Sequence, residues 1–245
     1  MKVFLAGSGL TKVWQDKSFY DFFRLQTFYH ITPKEASEMH LYKDFLLDSG
    51  AFSFFGDAKV SMDEYIEKYI DFINKHNVKH FFELDLYTLP KYGIKKTEEI
   101  RNYIEKKTNK KTIPVFHSIL GIDYYKKLCD EYKYIAIGAS GMHDSRWTRT
   151  NPEQLQKMVL YAKNKGVKVH GLGYTKINML SKIPFYSVDS TSWLSGNRFG
   201  GIYMFNGNGF NKAQKPKGMR VKTNLTANNN FYEWIKFQKY AEQNL

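Results

Sequence analysis

Phe45-Leu-Leu-Asp48, running into Ser49-Gly-Ala-Phe-Ser53 and then into Ser61-Met-Asp-Glu64 and a long amphipathic stretch, is the unit that decides the fold. The short apolar run suits a strand buried on both faces. Ser61 is placed to cap a helix by accepting from the backbone three residues on, with Glu64 reaching back. Tyr65, Ile66, Tyr69, Ile70 and Ile73 then fall on one apolar stripe.

The same pattern recurs along the chain. Further runs are Lys2–Ala6, His80–Asp85, Thr112–His117, Tyr134–Gly138, Val167–Gly171, Phe185–Asp189 and Gly201–Phe205. Asn151-Pro152-Glu153 opens another helix, with Leu155, Met158, Val159 and Ala162 apolar and Gly166 ending it. Thr97–Lys107 and Ile122–Tyr132 have the same character, and Tyr232–Tyr240 is expected to cover the domain as a last helix. Strands alternating with helices over residues 1–245 predict a single α/β domain, a (β/α)8 TIM-type barrel. A doubly wound open sheet is the alternative, because periodicity does not report closure.

Composition narrows the functional classes. The chain is 42% apolar and 25% charged, which suits a folded soluble protein. The lone Cys129 excludes an internal disulfide and a multi-cysteine metal site. No apolar run approaches the ~20 residues a bilayer span needs, and residues 1–14 lack the apolar core of a signal peptide, so a cytoplasmic home is expected. A formal net charge of +13 favours polyanionic partners, nucleic acid above all. Aromatic content of 17% suits base stacking as well as core packing.

Polar residues gather where the apolar runs end. Asp48, Asp85, His117, Gly138, Gly171 and Asp189 each sit at or just past the C-terminal end of a run. That end of the strands is where barrels and open α/β sheets build sites. Asp48 is followed by the small residues Ser49 and Gly50 and by Phe52; Asp189 lies among Ser187, Ser190, Thr191 and Trp193. Two carboxylates around a sugar and a planar base can divide the work of glycosyl transfer: one attacks the anomeric carbon and the other moves the proton.

Leu47-Asp-Ser-Gly-Ala-Phe52, Ile135-Ala-Ile-Gly138, His170-Gly-Leu-Gly173 and Val188-Asp-Ser-Thr191, in this order, resemble the motifs of the tRNA-guanine transglycosylase superfamily. The resemblance runs from Asp48 to about Gly200. Within that superfamily the small size is most similar to the DNA-guanine transglycosylases of phages and bacterial DNA-modification islands. The resemblance implies a (β/α)8 barrel that exchanges guanine for a 7-deazaguanine such as preQ0, without a cofactor or metal. It implies Asp189 as the nucleophile at C1′, Asp48 as the group handling the proton on the departing and incoming bases, and Asp85 as the acid on the guanine Watson–Crick edge. Gly138 is implied to line the base pocket, with Ser49, Phe52 and Gly171 beside it. His117 stands where the family usually has a glutamine on the base.

Two departures bear on the substrate. The tRNA enzymes carry a zinc held by three cysteines and a histidine, which one cysteine cannot supply. They also follow the nucleophile with Pro-Thr-Arg and a second arginine; here Thr191-Ser192-Trp193 follows, and only Arg198, in Asn197-Arg-Phe-Gly200, echoes the second arginine. DNA is therefore the expected partner, with its nucleotide flipped out or single-stranded. Phe52 and Trp193 are the expected stacking platforms, and Arg146, Arg149, Arg198, Lys215 and Lys217 the expected phosphate contacts. Exchange on tRNA, hydrolysis without exchange, and a binding subunit that needs another protein are the alternatives.

Other signals carry less. Gly7-Ser-Gly9 has Lys12 where a dinucleotide turn needs its third glycine. His76 and His80 lack a third ligand, His143 reads as a loop histidine, and His170 as a core or supporting one. Cys129 reads as core. Ser49 and Ser190 have no histidine base in any recognisable pattern.

Overall fold

Side chains alternate between the two faces of a strand, so the strand ends and their phase decide what meets inside the protein. The computed structural model describes residues 1–7, 20–51, 61–87, 92–138, 142–174, 177–195, 200–214 and 223–245. The strands are β1 (Lys2–Ala6), β2 (Phe23–Thr27), β3 (Asp44–Asp48), β4 (Val115–Phe116), β5 (Tyr134–Gly138), β6 (Lys168–Leu172), β7 (Ser187–Ser190), β8 (Gly201–Phe205) and β9 (Phe210–Gln214). The helices are α1 (Pro33–Glu38), α2 (Met62–Lys75), α3 (Gly93–Thr108), α4 (Gly121–Glu131), α5 (Met142–Thr150), α6 (Pro152–Asn164), α7 (Ile177–Leu180) and α8 (Thr223–Asn244).

Seven parallel strands form one curled sheet in the order β3-β2-β1-β7-β6-β5-β4, flanked by helices. Residues 80–83 hydrogen-bond on both sides. Leu47 N donates to His80 O (3.0 Å) and Phe82 N to Leu47 O (2.9 Å), while Ile113 N donates to Phe81 O (2.8 Å) and Glu83 N to Ile113 O (3.1 Å). Phe81 and Phe82 thus make only isolated parallel bridges, to Leu47 and Ile113, where a strand over His80–Asp85 was expected. The expected run Thr112–His117 likewise shortens to Val115–Phe116.

One further expectation is corrected, and one strand was not expected. Gly201–Phe205 does not join the parallel sheet; β8 pairs antiparallel with β9, with Phe205 opposite Phe210. Asn206 closes that hairpin by accepting from Gly209 N through its side chain (2.9 Å). The place in the sheet goes instead to β2, Phe-Arg-Leu-Gln-Thr, whose polar Arg24 and Gln26 conceal a strand. Arg24 is buried because its guanidinium donates to Leu5 O (2.8 Å), Gly7 O and Gln26 Oε1 (2.9 Å).

The phase of the strands is unambiguous. Phe4, Ala6, Phe23, Leu25, Leu46, Phe82, Ile113, Val115 and Ala136 pack into one inner cluster. Their alternating neighbours Val3, Leu5, Ile135, Ile137, Val169 and Val188 pack outward beneath helices, as do Leu47 and Phe81. By the same alternation Thr27, Asp48, His117, Gly138, His170 and Asp189 belong to the inner face, toward its C-terminal end.

The helices form where the sequence places them, but the expected Asn151 cap is not made: its amide donates to Trp147 O (3.1 Å) instead. Ser61 accepts from Glu64 N (3.2 Å), but Glu64 turns to Lys68 (2.7 Å) instead of closing the capping box. Tyr65, Ile66, Tyr69, Ile70 and Ile73 are all buried. On the outer face Glu83 is held between α3 and the sheet: Arg101 Nη1 donates to Oε2 (3.1 Å) and Val115 N to Oε1 (2.6 Å). Helix α8 covers β1 and β2. Gln238 accepts from Phe23 N (3.2 Å) and donates to Val3 O and to Phe23 O (3.3 Å), stitching the two strands where they splay.

Candidate functional site

Asp48 leaves β3 into a turn that only glycine can complete. Gly50 has φ +72, and a Cβ there would stand 2.7 Å from both Thr27 Oγ1 and Tyr29 Cβ. Helix α2 seals the turn, since the Tyr65 hydroxyl donates to Ser49 O (2.6 Å). Asp48 consequently sits half-buried with two other acids nearby. Burial first, and then the Asp85 and Asp189 carboxylates, push its carboxyl up to about 7, against the opposing Thr27 hydroxyl and Gly50 amide.

Asp85 is held by a histidine. His117 Nε2 lies 3.1 Å from Asp85 Oδ2, and His117 Nδ1 lies 2.7 Å from Asp144 Oδ2. Asp144, on α5, also accepts from Ser118 N and Oγ, both at 2.9 Å. Burial opposes the charged imidazole, but the Asp144 and Asp85 carboxylates outweigh it and push His117 up to about 10. Asp144 is correspondingly held below the ordinary carboxylate range: burial would raise it, and the His117 and Ser118 hydrogen bonds prevail. Both ring nitrogens of His117 are therefore committed, so it has no N–H left for a base and acts through Asp85. Gly138 explains why the cluster fits. A Cβ there would lie 3.0 Å from His117 Nδ1 and 3.2 Å from Asp144 Oδ2.

Asp189 is held by a second histidine. His170 Nε2 lies 3.2 Å from Asp189 Oδ1, which also accepts from Gly173 N at 2.6 Å. Beneath it His170 Nδ1 meets Ser187 Oγ at 2.7 Å, and Ser187 Oγ meets the Tyr134 hydroxyl at 2.6 Å. Among the described residues hydrogen bonds reach only Oδ1 of Asp189, leaving Oδ2 for a ligand. No protein-family model matches this chain, and no curated protein does.

Asp85 and Asp189 lie near enough to Asp48 to act on its charge, although Asp85 follows isolated bridges and not the strand expected over His80–Asp85. Ser49 is buried beside Asp48, and its hydroxyl finds no partner among the described residues. Other expectations are corrected. Trp193 cannot be a stacking platform: it is 0% exposed and donates Nε1–H to Ala6 O (2.8 Å), packed against Phe231. Gly171 makes room for Tyr174 and Phe185, which a Cβ would meet at 3.0 and 3.1 Å, so its missing side chain serves packing. Arg146 and Arg149 are exposed on α5. Phe52, Arg198, Lys215 and Lys217 lie outside the described residues. A cavity of about 670 Å³ beside the β8–β9 hairpin, lined by Asn178, Tyr203, Phe210 and Trp234 among others, includes none of the three acids.

Sequence reasoning missed Asp144 and Tyr134; His170 is the buried, supporting histidine expected of it, and Ser187, expected only as a neighbour of Asp189, bonds its ring. Asp144 had no periodic signal to place it on a helix facing His117. The phase of β5, β6 and β7 was the available signal for the others, since Tyr134, His170, Ser187 and Asp189 share the inner face. No helix among the described residues is long and apolar enough to cross a membrane.

Proposed function

We propose that the chain is a DNA-guanine transglycosylase, exchanging guanine in DNA for a free 7-deazaguanine through a covalent aspartyl-nucleoside intermediate. The observation that carries this is the gathering of Asp48, Asp85 and Asp189 at one inner rim, with Asp48 held near pH 7 by its surroundings. In the finer architecture we propose, residues 80–83 serve as the eighth stave of a (β/α)8 barrel between β3 and β4.

Oδ2 of Asp189 attacks C1′, the C1′–N9 bond breaks, and protonated Asp48 gives its proton to the departing guanine. The incoming base then loses its N9 proton to Asp48, N9 bonds to C1′, and Asp189 is released. A carboxyl near pH 7 can give and take that proton with little penalty in either direction. Asp85, fixed by His117, accepts from the donor edge of the base. The net charge of +13 and the exposed Arg146 and Arg149 support a polyanionic substrate.

The test is mass spectrometry of nucleosides from single-stranded DNA, duplex DNA and tRNA incubated with the protein and labelled 7-deazaguanines. Label is expected in DNA, and Asp189→Ala should abolish it. Label in tRNA alone would move the substrate to tRNA. Free guanine with abasic sites would make the protein a hydrolase, and no label with no guanine release would refute the proposal.

A further inference from the structure

We propose that His170 is a positioning residue for Asp189, held as the neutral Nε2–H tautomer by a one-way chain of hydrogen bonds from Tyr134 through Ser187. For a neutral ring the tautomer follows from geometry; its catalytic meaning rests on the function proposed above.

With His170 neutral and Asp189 ionised, the direction of the chain follows from counting protons. As a carboxylate Asp189 can only accept, so His170 Nε2 must donate across the 3.2 Å contact. A neutral imidazole then carries its lone pair on Nδ1, so Ser187 must donate there across 2.7 Å. That uses the one hydroxyl proton of Ser187, so its oxygen accepts from Tyr134 across 2.6 Å. Each proton has one acceptor, and each buried acceptor is satisfied. With a doubly protonated ring Ser187 would accept from Nδ1 and donate to Tyr134, whose half-buried hydroxyl would then donate to solvent.

The surroundings reinforce this choice. His170 is 0% exposed and Ser187 is 0% exposed. The His170 ring is flanked by Phe4 (centroids 6.0 Å apart) and Phe82 (5.4 Å), which fix its plane. Gly173 N and His170 Nε2 then grip the same oxygen from two sides, so Oδ1 is immobile and Oδ2 is aimed. Holding an attacking atom in line is worth on the order of 100-fold or more in rate.

Nitrogen NMR of the protein labelled at histidine, with no substrate present, reads the tautomer directly. Nδ1 of His170 is expected to resonate as an unprotonated ring nitrogen and Nε2 as a protonated one at pH 7. A proton on Nδ1, alone or with Nε2, would overturn the proposal whatever the protein catalyses. The kinetic arm compares His170→Leu with His170→Gln, whose amide N–H can occupy the Nε2 position. Base exchange by the leucine variant should fall about 100-fold in kcat with KM within about twofold, and the glutamine variant should recover most of it. Equal losses in both variants, or a loss confined to KM, would refute the positioning role. Absence of base exchange by the unaltered protein would instead remove the proposed function and leave the tautomer standing.

Discussion

Replacing Asp144 with Asn should flatten the dependence of stability on pH between 6.5 and about 10. His117 has an ordinary value of 6.5 and is pushed up to about 10 in the fold. A group raised in this way stabilises fully below its unfolded value, and the contribution is lost as pH rises through the folded one. At roughly 1.36 kcal/mol per pH unit the whole span corresponds to about 5 kcal/mol, shared between two carboxylates. Asp144 is the closer partner, and its side chain is 5% exposed against 9% for His117, so solvent screens the pair little. Asn keeps an oxygen for Ser118 and offers an amide N–H to an unprotonated Nδ1, so the high-pH arrangement survives the change. The variant should therefore lose about 2–3 kcal/mol at pH 6 and close to nothing at pH 10. Urea unfolding of both proteins at intervals from pH 6 to 10 measures this. An equal loss at both ends would mean that His117 carries no charge in the folded protein, and the account of Asp85 as a group held by an imidazolium would fall.

Three other perturbations address separate parts of the structure. Asp48 is held above its ordinary 3.8, at about 7, so its ionisation costs stability as pH climbs through that window; Asp48→Asn should gain about 1–2 kcal/mol at pH 8 and nothing at pH 4 in thermal melts, while losing base exchange. Gly50→Ala forces a side chain to φ +72 and against Thr27 and Tyr29, and should cost about 2–4 kcal/mol in denaturant unfolding; a loss below ~0.5 kcal/mol would contradict the tight turn. Arg101→Met leaves Glu83 buried beside Val115 without its cation and should cost about 3–5 kcal/mol at pH 8. Because burial already pushes Glu83 up to about 7 against the pull of Arg101, that deficit should shrink by pH 5, where the carboxyl is protonated.

Much of the architecture was legible because its signals are local. β1, β3, β5 and α2 stand within a residue of the apolar runs and stripes that announced them. The acids of the site were legible for the same reason: an apolar run that ends on Asp48 or Asp189 puts a carboxylate at a strand end. What escaped depended on partners far along the chain. β2 looks polar because Arg24 spends its donors on carbonyls near the end of β1, which no local window reveals. The segment Gly201–Phe205 has the composition of a buried parallel strand, yet Asn206-Gly207-Asn208-Gly209 directly after it is a hairpin turn signal that outweighs composition. Trp193 has the chemistry of a stacking platform, and only the carbonyl of Ala6 with the cover of α8 turns it inward. His117 was correctly placed at the rim, but its two carboxylates, 32 residues before it and 27 after it, changed its part from reading a base to holding an acid.

The Gln238 side chain has a consequence for how the chain is made. Its amide supplies the bonds that join Val3 and Phe23, yet it lies 215 positions after Phe23 and is synthesised last of the three. Closing so long a loop is slow, and contacts of that separation form late. During translation the first two strands therefore carry unpaired amide and carbonyl groups along part of their shared border, open to pairing with other nascent chains. That border stays open until α8 emerges and docks its amide between the two strands.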